Sequence, residues 1–326
     1  MAHLKRFVAA GMTLAMVVGM LPVTTMAAAS YRNEWHQKSD GYWYFYDEYG
    51  HKVKNEVKYC SDDGCYYLLN SKGQRVTKKG FITTTKLYTH YGDKISFKRS
   101  YYVKEGGALL TSSWKKISGT WRYFNYDGMM LKGTATYKST DAATGKHKFW
   151  LLGNDGKKVS KKGWYKAKTV SIDNWDGDKY TYEYYYYVLS DGTVARDGVK
   201  KIGGKYYAFG YDGIMVRNDT YTSSSGKNYL YGDDGARIKK AGLACVTYKS
   251  TYYGSISVSK DTYKVRYYIN KDGSVYSGWK KIDGKWYYFS TSTFTPGVML
   301  RSTTNSNIES GKTYIFNSKG VCINHG

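Results

Sequence analysis

The stretch KKISGTWRYFNYDGMM, residues 115–130, decides the fold because it recurs along the chain. It returns as KKIGGKYYAFGYDGIM at residues 200–215 and as KKIDGKWYYF at residues 280–289, and a divergent copy, KSDGYWYFYDEYG, occupies residues 38–50. The copies lie about 80 residues apart, and self-similarity at a fixed period is typical of repeat proteins, whose units bury too little surface to fold alone and must stack. Function is therefore expected on a repeated surface rather than in one pocket.

Two further motif types fill the intervals, for example CYYLLNSKGQRVTKKGF from residue 65 and RYYINKDGSVYSGW from residue 266. Each is an aromatic segment, a turn ending in glycine and a second short segment, which is the pattern of a β-hairpin. Three types in rotation, with a shortened last round, predict about eleven hairpins. We therefore predict an all-β fold, an elongated solenoid of stacked β-hairpins with longer two-stranded ribbons between some units.

The first residues have the pattern of a secretory signal. Lys5 and Arg6 precede an apolar run over residues 7–21, and small residues at 27–29 offer a cleavage site. We predict a signal peptide over residues 1–29 and a secreted repeat solenoid over residues 30–326. Its predicted super-repeats are approximately 30–113, 114–198, 199–278 and the truncated 279–326.

Charge and cysteine content limit the partners and the redox setting. The formal net charge is +24, and a field of that strength attracts anionic polymers. Cys60 and Cys65 flank the turn-like SDDG, so an exported chain is predicted to form a disulfide between them. Cys245 and Cys322 either pair or remain free.

The motifs GTWRYFNYDGMM, GWKKI and GKWYYF resemble the cell-wall-binding repeats of Gram-positive surface proteins. That family includes choline-binding modules, the glucan-binding repeats of glucosyltransferases and the receptor-binding repeats of clostridial toxins. The resemblance covers nearly the whole mature chain. It implies a solenoid of short hairpins, with ligands held in aromatic pockets between successive hairpins.

In the choline-binding branch the resemblance implies a pocket built from the Trp after a glycine, the first aromatic of the WYY run, a Met after the turn glycine and an aromatic of the next hairpin. The middle copy has Val199 in the Trp position, so its pocket lacks one wall, and the first copy has Lys52 where Met would stand. The same aromatics also suit an inter-repeat core, and the two roles can overlap. The candidate ligand contacts are Trp43, Trp114, Trp121, Met130, Trp164, Tyr206, Met215, Trp279, Trp286 and Met299.

Paired lysines recur at two repeat positions and predict basic stripes, if stacking preserves their orientation. Many weak contacts on one polymer add avidity, and a phosphate-rich wall polymer such as teichoic acid would fit them. The alternative is that these lysines only solvate and protect strand ends. The candidates for anionic-polymer contact are Lys115, Lys116, Lys161, Lys162, Lys200, Lys201, Lys239, Lys240, Lys280 and Lys281.

These observations predict a secreted, non-catalytic protein that binds bacterial cell-wall polymers, whether teichoic acid, a choline-substituted polymer or glucan. The histidines show no metal-ligand spacing and no nucleophile stands in a recognisable setting, so no metal, cofactor or catalysis is expected. An adhesin or toxin-like module for host glycans and an accessory module of a wall hydrolase are the alternatives. Export makes nucleic acid an unexpected partner, and the oligomeric state stays open.

Overall fold

The computed structural model describes residues 31–90, 93–140, 145, 147–172, 179–249, 262–305 and 307–325. The predicted signal peptide lies outside these ranges. All regular structure within them is β, and consecutive strands pair as antiparallel hairpins, which confirms the predicted all-β hairpin fold. The described ranges contain no helix of the length and hydrophobicity that crossing a membrane requires.

The strands follow the chain in simple order and each pairs with its neighbour in sequence. Their bounds are β1 (Glu34–Gln37), β2 (Trp43–Tyr46), β3 (Val57–Cys60), β4 (Cys65–Leu68), β5 (Gly80–His90), β6 (Asp93–Val103), β7 (Ser113–Ile117), β8 (Thr120–Phe124), β9 (Thr134–Thr140), β10 (His147–Leu152), β11 (Lys158–Val159), β12 (Gly163–Ile172), β13 (Lys179–Val188), β14 (Gly198–Ile202), β15 (Lys205–Phe209), β16 (Asp219–Thr222), β17 (Asn228–Tyr231), β18 (Gly242–Lys249), β19 (Thr262–Ile269), β20 (Gly278–Ile282), β21 (Lys285–Phe289), β22 (Thr303–Asn305) and β23 (Tyr314–Phe316).

The hairpins alternate in three types, in the predicted rotation. The copies of the opening motif form the core hairpins β1–β2, β7–β8, β14–β15 and β20–β21. The short hairpins that follow them are β3–β4, β9–β10, β16–β17 and β22–β23, with β11 added to β10. The longer ribbons are β5–β6, β12–β13 and β18–β19.

After its second strand, each hairpin turns back and adds one more bridging residue, which we call the bridge residue. In the core hairpin β7–β8, for example, Met130 pairs with Phe124 across the turn that contains Gly128. The spacing is six residues in ten of the eleven described hairpins, and ten residues between Phe289 and Met299. The bridge residues are Lys52, Arg75, Leu109, Met130, Lys158, Val194, Met215, Arg237, Val275, Met299 and Cys322.

In eight hairpins of the larger unit the bridge residue also connects its hairpin to the one before it. The backbone N–H of Met130 donates to the carbonyl oxygen of Ser100, at 2.8 Å, so the core hairpin is bonded to the preceding ribbon. The accepting residue has a fixed position in the preceding hairpin. It lies three residues before the residue that pairs with the bridge residue of that hairpin, as Ser100 lies three residues before Val103, the partner of Leu109. The same contact, at 2.8–3.0 Å, joins Leu109 to Tyr66, Val194 to Phe149, Met215 to Tyr185, Arg237 to Tyr206, Val275 to Asn228, Met299 to Arg266 and Cys322 to Trp286.

The partner of each bridge residue lies at the end of the second strand and is buried. Phe124, Phe209 and Phe289 are each 0% exposed. Burial of such a side chain contributes about 1.5–3 kcal/mol, against about 0.5–1.5 kcal/mol for one hydrogen bond. Apolar burial therefore supplies most of the stability, while the bridge hydrogen bond fixes the register between hairpins.

The turn glycine of one hairpin packs directly on the bridge residue of the hairpin before it. A Cβ atom at Gly297, whose φ is +72°, would overlap the Val275 side chain and lie 2.8 Å from the Tyr276 carbonyl oxygen. Gly235 stands in the same way against Met215, and Gly320 against Met299. Glycine is required at these positions for close approach as well as for its backbone conformation.

The turn between Phe289 and Met299 is longer than its counterparts, but its bridge residue makes the same contact with the preceding hairpin. Met299 still donates to the Arg266 carbonyl oxygen at 2.9 Å. The additional residues project outward, and Phe294 among them is 94% exposed. The length of this turn therefore does not disturb the packing at its base.

The chain divides into two compact units. The smaller holds the described residues up to Glu56 together with Leu69–Arg75, and the larger holds Val57–Leu68 and the chain from Val76 onward. In the smaller unit Phe45, Val53 and Leu69 form the core. Within the larger unit hairpins pack in chain order, as expected of a solenoid, whereas the four predicted super-repeat boundaries stay predictions.

The four cysteines are free thiols in the structure. Cys60 and Cys65 are nevertheless direct cross-strand partners, at the turn end of β3–β4. Partial burial raises the pKa of the Cys60 thiol. The predicted disulfide between these two residues stays a prediction.

Replacement of Gly297 tests the close approach between hairpins. We expect Gly226→Ala, at φ +76° with no atom within 4 Å of the added Cβ, to cost about 1–2 kcal/mol from backbone strain alone. Gly297→Ala adds the overlap with Val275 and Tyr276, a further cost of about 1–3 kcal/mol. Urea unfolding of both variants measures the difference. Equal losses of stability would contradict this account of the packing.

Tyr231 provides a test of pH dependence. Its ring is fully buried, its hydroxyl has no hydrogen-bond partner, and burial raises its pKa to about 12. The folded state thus holds the phenol proton more tightly than the unfolded chain, whose tyrosines titrate near about 10, so this stabilisation is complete below that pH and declines as pH rises towards 12.

Tyr231→Phe removes both effects. We expect the variant to be more stable by about 1 kcal/mol at neutral pH and to lose less stability in alkali, as measured by thermal unfolding across the pH range. Tyr211→Phe, at a residue that is 70% exposed, is the matched control. Identical alkaline profiles for Tyr231→Phe and the unmodified protein would refute the assignment.

Candidate functional site

An aromatic cage surrounds Trp279, which we call the Trp279 cage. The Trp279 ring meets its cross-strand partner Tyr288 at 5.1 Å between centroids, and meets Tyr314 of the next hairpin at 4.7 Å. Phe316 stacks behind it at 5.9 Å, and Trp286 stands nearly perpendicular at 6.4 Å. Aromatic rings from two successive hairpins thus surround Trp279, mostly with their edges towards its ring.

Trp164 on ribbon β12–β13 forms a second cage of nearly the same geometry. Its ring lies 4.9 Å from Tyr187, 4.7 Å from Tyr207 and 6.1 Å from Phe209. Each distance agrees with its counterpart around Trp279 to within 0.2 Å. Cage formation is therefore a property of the stacking and not of one hairpin type.

Trp114 forms a third cage with its cross-strand partner Tyr123, at 5.2 Å, and Trp150 of the next hairpin, at 4.9 Å. Trp121, on the following strand, is 46% exposed. Here Trp150 takes the position that Tyr207 and Tyr314 have in the other two cages.

The middle core hairpin departs from this pattern, as the sequence predicts. Val199 replaces the tryptophan, and its cross-strand partner is Ala208, so two ring walls are missing. Tyr206 and Tyr229 remain, and the Arg237 guanidinium lies 3.3 Å from the Tyr229 ring centroid.

Cations of the protein itself lie on aromatic rings in or beside these sites, including Lys281, 5.7 Å from the Trp286 ring centroid in the Trp279 cage. The Lys158 ammonium is 3.5 Å from the Trp150 centroid, and Arg217 lies 4.3 Å from the Tyr185 ring, three residues before Val188. Lys239 lies 4.5 Å from the Tyr206 ring. Ring faces attract cations, at about 0.5–2 kcal/mol per contact, so these residues stabilise the stack from within.

The Trp279 cage has a different occupant. The bridge residue of the following hairpin, β22–β23, is Cys322, whereas the earlier short hairpins have Arg or Lys at this position. The His325 imidazole stacks on Trp286 at 4.5 Å and 20°, and meets Trp279 edge-on at 4.3 Å. Its Nδ1 atom is buried without a hydrogen-bond partner. An aromatic ring, held by packing alone, thus fills the space between two tryptophans.

A carboxylate adjoins this cage. Glu309 accepts a hydrogen bond from the Tyr314 hydroxyl at 2.9 Å and forms an ion pair with Lys312 at 3.1 Å. The hydrogen bond from Lys312, and then that from Tyr314, hold the pKa of the Glu309 carboxyl below its ordinary value. The carboxylate therefore stays ionised at neutral pH, with its charge engaged by Lys312 and Tyr314.

The three candidate methionines are bridge residues, and they are 4–6% exposed. Met130, Met215 and Met299 each pack against the turn glycine of the next hairpin. Their observed role is in the core between hairpins, and a ligand contact at these residues stays a prediction.

The structure separates the two members of each strand lysine pair. Adjacent strand residues point to opposite faces, so Lys115 and Lys116 cannot lie in one row, and the same holds for Lys200 with Lys201 and Lys280 with Lys281. The second member stands opposite the candidate aromatic, as in Lys116 with Trp121, Lys201 with Tyr206 and Lys281 with Trp286. Lys161, Lys162, Lys239 and Lys240 are exposed residues in connections between hairpins.

The remaining candidate, Trp43, lies on β2 and is 38% exposed. Nearby, the Lys52 ammonium lies 4.3 Å from the Tyr44 ring. The first core hairpin thus also carries a cation of its own on an aromatic face.

Sequence reasoning missed two sets of cage residues and the occupant His325. Both sets hold fixed positions in the hairpin. Residues of the first set lie one position before the buried end residue of the hairpin that carries the tryptophan. Residues of the second set lie two positions before the buried end residue of the next hairpin. That spacing was a usable signal. The missed residues are Tyr123, Tyr187 and Tyr288 in the first set, and Trp150, Tyr207 and Tyr314 in the second.

Among the residues whose placement is described, no group of His, Cys, Asp or Glu side chains is arranged to hold a metal ion. The chemistry that the cages can perform is the binding of an organic cation or of the flat apolar face of a sugar, since both suit aromatic walls.

Two segments, residues 112–130 and 277–292, match the family model of a cell wall binding repeat. They comprise the core hairpins β7–β8 and β20–β21, which carry the Trp114 and Trp279 cages. The match confirms the resemblance predicted from the motifs in these two hairpins.

Curated relatives match through a small part of their length. Glucosyltransferase-S of Streptococcus mutans serotype c is 26% identical over 271 residues, which is 80% of this chain and 16% of the relative. Glucosyltransferase-I of Streptococcus downei is 25% identical over 190 residues, 53% of this chain and 10% of the relative. The chain spans at most 16% of the length of these curated relatives.

Among solved structures, choline binding protein F from Streptococcus pneumoniae is 20% identical to this chain. The alignment covers 89% of this chain and 91% of that protein, with a TM-score of 0.30.

Removal of the His325 ring tests its position in the Trp279 cage. We expect His325→Ala to expose Trp279 and Trp286 to solvent, because the imidazole covers both rings. Acrylamide quenching of tryptophan fluorescence should increase and the emission maximum should move to longer wavelength. His51→Ala, at an exposed histidine, is the control. Unchanged quenching in His325→Ala would show that the imidazole does not cover these rings.

Proposed function

We propose that this chain, two segments of which match the cell wall binding repeat, is a non-catalytic module that attaches to Gram-positive cell-wall polymers. The Trp279 cage carries the proposal. Its walls come from two hairpins, a carboxylate adjoins it, and the His325 ring that stacks in it is the group that a ligand must displace.

The ligand class that fits this cage best is an organic cation such as choline, borne on a wall polymer. Aromatic faces attract a quaternary ammonium without the desolvation that a primary ammonium requires, at about 0.5–2 kcal/mol per ring contact. The cages around Trp114 and the Tyr206 ring already hold lysine or arginine and are weaker candidates for this ligand.

A glucan is the second candidate. The observation that favours it is the similarity of 80% of this chain to part of a glucosyltransferase. Sugar rings present flat apolar faces that stack on exposed tryptophans, and Trp121 and Trp164, at 46% and 42% exposed, are available for such stacking.

Repetition and charge support a polymer as the partner. Several weak sites on one chain, bound to one polymer, act together and gain affinity without new contacts. The net charge of +24 attracts phosphate-rich polymers such as teichoic acid and speeds encounter, with a strength that falls as salt rises. Together with the predicted signal peptide, this supports a proposed site of action outside the cell, at the wall.

The test is retention on sedimented cell walls, comparing walls that carry choline with walls that lack it. We expect Trp279→Ala to weaken retention on choline-bearing walls by about 2- to 30-fold, the range that a lost cation–π contact gives. Free choline should elute the unmodified protein. Phe294→Ala, which removes a ring that is 94% exposed and outside the cage, is the matched control.

Elution by soluble glucan rather than choline would select the second candidate. Equal retention of Trp279→Ala and the Phe294→Ala control on every wall, with both variants folded by circular dichroism, would refute the Trp279 cage as the site.

A further inference from the structure

The middle core hairpin, which lacks its tryptophan, borders a pocket of ≈330 Å³ within the larger unit. Pockets of about 300 Å³ and above accommodate small ligands. Three successive hairpins contribute to this one, which is lined by Tyr206, Arg237, Lys239, Lys271, Asp272 and Gly273.

The aromatic faces of this pocket are already occupied by the protein's own cations. Arg237 lies over Tyr229 at 3.3 Å, and Lys239 lies over Tyr206 at 4.5 Å. An organic cation would have to displace these groups or sit beside like charges, which is unfavourable. The pocket therefore favours an anionic ligand over a cationic one.

Three cationic side chains line the pocket, against the single carboxylate of Asp272. That carboxylate is engaged elsewhere, because it accepts hydrogen bonds from the Ser274 hydroxyl at 2.6 Å and the Ser274 N–H at 2.9 Å, and pairs with Lys227 at 2.8 Å. Its pKa is held far below the ordinary value, first by Lys227 and then by Ser274. The cations of the pocket thus keep most of their charge for a ligand.

Arg237 is held in place for such a ligand. Its terminal Nη2 donates to the Asp272 carbonyl oxygen at 3.3 Å, and its buried Nε has no hydrogen-bond partner. Gly273 permits this approach, because a Cβ there would lie 3.1 Å from Nη2. A planar guanidinium beside two lysines is suited to an anion with several acceptor oxygens.

We propose that this pocket binds the phosphate of a polyol or sugar phosphate unit, with Lys239, Lys271 and Arg237 contacting the phosphate oxygens and the Tyr206 ring contacting the polyol or sugar. The inference rests on the proposed attachment to wall polymers and adds a second chemistry to it. The chain would then bind a polymer that carries both charges at two sites. The Trp279 cage would bind an organic cation of the polymer, and the pocket beside Tyr206 would bind its anionic backbone.

The experiment is titration of the full chain with sn-glycerol 3-phosphate, followed by two-dimensional NMR. We expect the double variant Lys239→Gln, Lys271→Gln to weaken binding about tenfold, from the loss of two charge-assisted contacts. Both lysines are exposed, so the fold should be retained. Lys240→Gln, which removes one lysine charge from an exposed neighbour that does not line the pocket, should bind as the unmodified protein does.

Glycerol, inorganic phosphate and a single-stranded oligonucleotide complete the series. Equal weakening in Lys240→Gln and in the double variant would overturn the pocket in favour of non-specific charge, and tighter binding of the oligonucleotide through the same lysines would overturn the polyol phosphate. Absence of any glycerol phosphate binding would also overturn it. Choline elution in the wall assay depends on Trp279 and not on the pocket lysines. A negative result with glycerol phosphate therefore leaves the proposed wall attachment intact. A negative result in the wall assay likewise leaves the glycerol phosphate titration interpretable.

Discussion

The hydrogen bond from a bridge residue to the preceding hairpin is the contact on which the rest of the structure depends. An isolated two-stranded hairpin is marginally stable in water, so each unit needs a neighbour to cover its buried end residue. The bond from Met299 to Arg266, like its equivalents, sets how far one hairpin advances past the last. Because that advance is the same each time, side chains at equivalent positions come together between successive hairpins, and the cages arise from this repetition.

The fold was accessible from sequence because its determinants are periodic. The repeated glycines and aromatic runs predict the hairpins, their rotation and their number. The positions of some bridge residues were also found by repetition, as with Met130, Met215 and Met299, but their role in joining successive hairpins was not predictable, since it depends on a hydrogen bond between hairpins. Their identity as Met in one hairpin type and Arg or Lys in another is visible in the sequence, but its meaning depends on which ring lies beneath.

The site was predicted in part, for physical reasons that differ between residues. Trp114, Trp164 and Trp279 are large and repeated, so they were found, whereas their partners Trp150, Tyr207 and Tyr314 come from the next hairpin and required the stacking geometry. The lysine pairs were found by their repetition, but the two-residue period of a strand sends neighbouring lysines to opposite faces, so one row can hold only one member of each strand pair, and the basic stripes stay a prediction. His325 was missed because nothing repeats it.

The long turn between Phe289 and Met299 separates two properties that are coupled in most folds, namely length and register. The additional residues of its exposed tip leave the register of the following hairpin unchanged, because Met299 still forms the bridge to Phe289. Descendants of such a gene can accumulate insertions at these tips with little loss of stability. The array is thus a scaffold on which new surface loops can evolve, or foreign epitopes can be displayed, one hairpin at a time.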